Sequence, residues 1–460
     1  MRMAWADLET PKARQCDGQT VELIGFPVAG DGETRSRHFL LTAEAPCCPG
    51  CAPSAITASV EVLSADPLPM RAGVLRLSGI WHSGPEAFRL TQARAIEPPG
   101  WKAATRRNVL TGGPLICLAA CAAATDPAAN AERGKAAIEA GRSIDLHSHA
   151  GGIANVARIT SGEGFSSVAV PMRAGGMAVA CLAIVSDGPT HKVQPDGRIR
   201  PFRESGAGEL YRYGTLAFER LHALLRREGL PVVSDRASLQ AARAGAPAVI
   251  VSAEGADFLE GDIARVDEAY TRWSLRHLQL THYRVNELGD IQTEPPVHGG
   301  LTDFGAEVIR RCNRLGIVVD IAHGTIDLVK RAATVSTTPL ILSHTSLASN
   351  PSRYSRRITV EHARIVAATG GVIGIWPPAS EFPTLSSLAA GMARAVDAAG
   401  IDHVGLGSDI RGLTGLSVFP DYYQLPGLAD ALFGVGFAQP EVVKLLGGNY
   451  ARVLEACLRY

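Results

Sequence analysis

The chain has 460 residues, with 45 basic and 45 acidic side chains, and is 46% hydrophobic and 20% charged. This length suits two domains better than one, and the composition is that of a globular protein. The charge balance excludes the basic footprint of a nucleic-acid-binding protein, and no stretch reaches the roughly 20 apolar residues of a membrane span.

Residues 1–104 carry short β-type runs divided by Gly, Pro and Asp: "TVELIGFPVAG", "RHFLLTAE", "SVEVLSA", "GVLRLSGIWH" and "FRLTQARAIE". Five such strands predict a small all-β domain, an OB-like barrel or sandwich, with no catalytic constellation. The nine cysteines are odd in number and lack a disulfide rhythm. Cys181 and Cys312 read as small core residues. "CCPGC" places Cys47, Cys48 and Cys51 together, but no second pair follows to complete a four-ligand zinc site.

The first residues do not form a signal peptide. Residues 105–130, however, carry twin arginines (Arg106 and Arg107), an apolar run and "LAAC" ending at Cys121. This resembles an internal twin-arginine export signal with a lipoprotein box. The plainer expectation for 105–140 is an Ala-rich linker or docked helix. The linker reading places the protein in the cytoplasm, the signal reading in the periplasm or on a membrane.

From 141 to 460 strand and helix alternate. Strands are predicted at 143–147, 177–186, 247–253, 276–281, 317–322, 339–343, 371–376 and 403–407. Helices are predicted at 207–229, 302–315, 325–333, 359–369 and 384–399. Several strands are unbroken apolar runs, as when both faces are buried. Eight strands alternating with helices fit an α/β fold of the (β/α)8 TIM-barrel type. A doubly wound open sheet is the alternative, weakened by the absence of a Gly-rich phosphate loop after the first strand.

Chemistry in such a barrel sits at the C-terminal strand ends. In "SIDLHSHAGG", alternate residues share a strand face, so His147 and His149 converge with Asp145 below them as a supporting carboxylate. Later strands end in Glu254 ("SAEGADF"), His282 ("LTHY"), His323 ("DIAHG"), His344 ("LSHTS") and Asp409 ("GLGSDIRG"). Packing alone does not explain so many ligand-type residues at strand ends. Two divalent metals about 3.5–4 Å apart need a bridging carboxylate and several imidazoles. Glu254 is the natural bridge, with His147 and His149 on one metal and His323 and His344 on the other. A water bridging them would become a hydroxide nucleophile near neutral pH. His282 is placed to hydrogen-bond the developing oxyanion. Asp409 is placed to move the proton to the leaving nitrogen.

These stretches, with "GLTDFGAEVIRRCNRLGIVVDIAHGT", "SRRITVEH" and "LLGGNYARVLE", occur in one order over 141–460. The region resembles the membrane (renal) dipeptidase family of amidohydrolase-type metallopeptidases. The resemblance implies a two-zinc barrel that hydrolyses dipeptides and leaves a homodimer open. It places metal ligands at His147, Glu254, His323 and His344, the carbonyl-binding histidine at His282 and the acid/base at Asp409. It places the substrate-carboxylate arginine at Arg357, a role that suits a bidentate guanidinium.

The sequence departs from the family pattern in two motifs. His149 stands where the first motif usually has Asp, and Arg411 where the last has a second acid. A long loop over the site is expected at 187–207. A related amidohydrolase acting on another carboxylate-bearing amide, a β-lactam or a lactone is the alternative function. An inactivated barrel serving as a scaffold fits poorly, because every expected ligand position holds a competent residue.

Overall fold

The computed structural model describes residues 11–28, 35–42, 59–69, 75–83, 88–95, 127–348 and 351–459. The CCPGC segment and residues 105–126, with the twin arginines and Cys121, lie outside them. The chain divides into two compact units, Met1–Ala120 and Cys121–Tyr460.

The first unit is a closed five-stranded barrel of β1 (Thr20–Val28), β2 (Arg35–Thr42), β3 (Ser59–Pro69), β4 (Leu75–Ser83) and β5 (Phe88–Ala95), in the order β1-β2-β3-β5-β4. All neighbours run antiparallel except the parallel pair β3 and β5. Alternating side chains put Val21, Leu23, Val60, Val62, Leu77 and Leu90 inside. Buried Trp81 donates its indole N–H to the Ala13 carbonyl at 2.8 Å, which satisfies its one polar atom.

The second unit carries a helix, Pro127–Gly141, within the segment expected to be an Ala-rich linker or docked helix. Eight parallel strands follow: β6 (Ser143–Ser148), β7 (Met177–Val185), β10 (Ala248–Glu254), β11 (Leu275–Gln279), β12 (Val318–Asp320), β13 (Leu340–Thr345), β14 (Val372–Ile375) and β15 (Val404–Leu406). They stand in sequence order around the sheet, and helices connect them. The circle closes through loop backbone just past the strands. Asp409 N–H donates to the His147 carbonyl and His149 N–H to the Ile410 carbonyl, both at 2.9 Å. This is the expected TIM-type barrel, and every residue of β7 and β10 is buried.

The helices show why the chain alternates. Glu209–Glu228 buries Leu210, Tyr213, Ala217, Phe218, Leu221 and Leu224, a three-and-four spacing that lays one apolar stripe on the barrel. Thr302 caps Asp303–Leu315 by accepting from Gly305 N–H, and Thr325 caps Ile326–Val335 through Leu328 N–H. The stretch expected as a loop over the site is partly a hairpin, β8 (His191–Val193) paired with β9 (Ile199–Pro201). Strands β11 and β12 are shorter than their apolar runs, so His282 and His323 sit in the loops beyond them.

Candidate metal centre

Seven of the predicted residues meet at the C-terminal mouth of the barrel. Glu254 stands at the middle. Its Oε1 is 3.2 Å from His323 Nε2, 3.2 Å from His344 Nε2, 3.4 Å from His282 Nε2 and 3.6 Å from His147 Nε2. Its Oε2 is 3.0 Å from His149 Nε2. Two imidazole pairs flank it: His147 Nε2 and His149 Nε2 are 3.1 Å apart, as are His323 Nε2 and His344 Nε2. Asp409 Oδ1 closes the first pair at 3.6 Å from His149.

The second nitrogens fix which face each ring presents. His149 Nδ1 lies 2.7 Å from the Ala183 carbonyl, His323 Nδ1 3.1 Å from the His282 carbonyl and His344 Nδ1 2.9 Å from Ser343 Oγ. Where Nδ1 donates in this way, in His149, His323 and His344, the Nε2 lone pair is left facing the neighbouring ring nitrogen. Such pairs repel unless a cation lies between them. Tetrahedral zinc with Zn–N bonds of about 2.0–2.1 Å separates its ligand atoms by roughly 3.3 Å, close to what these pairs show. The donor set therefore fits divalent metal. Buried His147 Nδ1 has no hydrogen-bond partner among the described residues.

Asp145 corrects one expectation. Its carboxylate does not reach the His147 ring. It accepts from the backbone N–H groups of His147 and Ser408, from the Ser408 hydroxyl and from Tyr422 Oη. It therefore laces β6 to the loop after β15 and fixes the backbone that carries His147. Burial pushes its pKa up to about 6. Backbone strain marks two site residues: His323 (φ 68°) and Asp409 (φ 46°) adopt left-handed conformations without being glycine. Burial also raises the Asp409 pKa.

Arg357 does not enter the site. Its side chain is about half exposed and faces Glu381 at 3.6 Å. The preceding arginine turns inward instead. Residues 356–358 pass beside the end of β13, from a bend at Arg356 to a bridge between Ile358 and Leu347, with Thr345 Oγ1 donating to the Arg356 carbonyl and Ile358 N–H to the Ser346 carbonyl. Arg356 is buried, donates to Gln292 Oε1 at 2.7 Å and the His344 carbonyl at 3.2 Å, and lies over the Trp376 ring. Its Nε–H has no partner among the described residues.

Two residues absent from the sequence reading complete the centre. Fully buried Asp187, just past β7, accepts from His282 Nδ1–H at 2.7 Å and from Tyr283 N–H at 3.1 Å. His191, on the β8–β9 hairpin, brings its Nδ1 to 3.3 Å from the same carboxylate oxygen. Although burial opposes its charge, His282 and His191 hold the Asp187 carboxyl well below its usual range. The mouth itself is a cavity of about 420 Å³ that includes His149, His191, His282, Tyr283, Trp376 and Asp409 in its lining.

A model of the membrane dipeptidase family, peptidase family M19, matches residues 214–459, more than half of the chain. This chain belongs to that family. The match begins after β6, so His147, His149, Asp187 and His191 precede it. Dipeptidase verJ of Clonostachys rogersoniana is 30% identical over 220 residues, 46% of this chain and 56% of that protein. Dipeptidase aclJ of Aspergillus oryzae is 29% identical over 203 residues, 42% of this chain and 48% of that protein. The chain thus spans about half the length of the curated relatives it matches.

Solved structures share the fold across the family barrel. A Rhodobacter sphaeroides metallopeptidase liganded with a phosphinate mimic of the dipeptide L-Ala-D-Ala aligns with a TM-score of 0.57 at 21% identity, covering 68% of this chain and 99% of that one. The probable dipeptidase PvdM of Pseudomonas aeruginosa aligns with a TM-score of 0.61 at 17% identity, over 72% and 99%. Among the described residues no helix is long and apolar enough to cross a membrane.

Proposed function

We propose that this protein is a metal-dependent dipeptidase with two zinc ions held by His147, His149, Glu254, His323 and His344. The observation that carries this reading is Glu254, a buried carboxylate ringed by five imidazoles, with Oε1 3.2 Å from both His323 and His344 and Oε2 3.0 Å from His149. Bound there, the metals supply Lewis acidity and lower the pKa of a coordinated water.

The chain's own residues do the rest. His282 presents Nε2 to the site with its Nδ1 tied to Asp187, the pose of a donor to a developing oxyanion. Asp409, buried beside His149, takes the proton released by the attacking water and returns it to the leaving nitrogen. Arg356 is the inward-turned member of the arginine pair, buried against the His344 carbonyl with its Nε–H unpaired among the described residues. We assign it the carboxylate-reading role that the family resemblance implied for Arg357. Tyr283 and Trp376 wall the cavity and limit water near the reacting atoms.

The test is hydrolysis of a panel of dipeptides by zinc-loaded protein, with metal bound per chain measured in parallel. Release of free amino acids that stops on chelation and returns with zinc supports the reading. Inertness toward all of them with the metals bound would refute it.

A further inference from the structure

The mouth of the cavity carries two cations that the proposed reaction does not use. Arg158, on the helix Val156–Ser161, and Arg411, after β15, both line it. Neither guanidinium has an ion pair or side-chain hydrogen bond among the described residues, whereas Arg198, Arg203, Arg265, Arg284 and Arg356 around the same barrel end are all partnered. The carboxylates in the lining are Glu254 and Asp409, and both turn toward the histidine cluster.

Position fixes both arginines at the entrance. A Cβ built on Gly152, in the cavity wall, would come within 3.4 Å of Arg158 Nη1, so that side chain lies over the wall and does not trail into solvent. Arg411 is held in a left-handed conformation (φ 66°) that an L side chain rarely adopts. Its neighbour Gly412 packs so tightly on Asp409 and His149 that a Cβ there would sit 1.9 Å from Asp409 Oδ1. The strained turn that aims Asp409 inward therefore also fixes the Arg411 backbone at the rim, with its side chain exposed in the cavity lining. Unpaired guanidinium groups beside a site for divalent cations raise the local positive potential and attract anions.

We propose that Arg158 and Arg411 form a second anion subsite, selecting dipeptides that carry a side-chain carboxylate besides the terminal one. This inference rests on the dipeptidase reading and narrows its substrate class to acidic dipeptides. Each guanidinium offers a charge-assisted contact that a neutral isostere lacks.

The experiment compares kcat/KM for Glu-Ala with Gln-Ala and for Ala-Glu with Ala-Gln, on zinc-loaded wild type, Arg158→Ala and Arg411→Ala. The acidic member of at least one pair should be preferred by roughly threefold to tenfold, the scale of a half-exposed ion pair. That ratio should shrink in high salt and fall toward unity in the variants. Equal rates within both pairs, or a preference that survives both substitutions, would overturn the subsite. Non-hydrolysable phosphinate analogues of Glu-Ala and Gln-Ala, titrated calorimetrically, read the subsite without turnover. If the wild type cleaves no dipeptide, tighter binding of the Glu analogue that is lost in Arg411→Ala still supports it, and equal binding rejects it.

Discussion

His282 Nδ1 lies 2.7 Å from Asp187 Oδ1, a buried charge-assisted hydrogen bond between loops that follow two different strands. It fixes the ring so that Nε2 faces Glu254 and the cavity. Asp187→Asn keeps the shape and removes the charge. Losing such a bond costs about 1.5–3 kcal/mol, so kcat should fall roughly ten- to a hundredfold with KM changed much less. If Asp187 acts through His282, the double variant with His282→Gln should be no slower than His282→Gln alone. Additive losses would assign Asp187 a purely structural part.

The two adjacent arginines separate cleanly in a second experiment. Arg356→Ala should lower kcat/KM for dipeptides by roughly ten- to a hundredfold, and the loss should shrink for dipeptide amides, which have no carboxylate to miss. Arg357→Ala, which removes an exposed pair with Glu381, should cost little. The reverse order of sensitivity would restore Arg357 as the reader of the C-terminus.

Glu254→Gln tests the bridge. A neutral amide cannot offset two divalent cations, so the variant should lose bound metal and all measurable activity. Metal analysis of the purified variant checks this beside its rate. Full activity with metal retained would remove Glu254 from the centre.

Much of this centre was legible in the sequence because barrel chemistry is confined to strand ends. Each unbroken apolar run marked a strand, and the polar residue just past it marked a position in the mouth. The same rule applied after β7 would have found Asp187, since "AIVSDGPTH" ends an apolar run in the same way. His191 was less accessible: the β8–β9 hairpin brings it to His282 across 91 positions of chain, and nothing local in the sequence announces that pairing. The choice between Arg356 and Arg357 rests on which way one short loop segment faces. The bonds from the Thr345 hydroxyl to the Arg356 carbonyl and from Ile358 N–H to the Ser346 carbonyl set that register, and composition carries no trace of it. Asp145 looked like a partner for the imidazoles because side chains two apart share a strand face. The loop after β15 claims its oxygens first.

The most direct measurement is a zinc titration of chelator-stripped protein, following dipeptide hydrolysis and bound metal together. Activity should be absent without metal, rise with loading and level off near about two zinc ions per chain, as a binuclear centre requires. Hydrolysis that persists after the metal is stripped, or full loading with no hydrolysis of any dipeptide, would contradict the account.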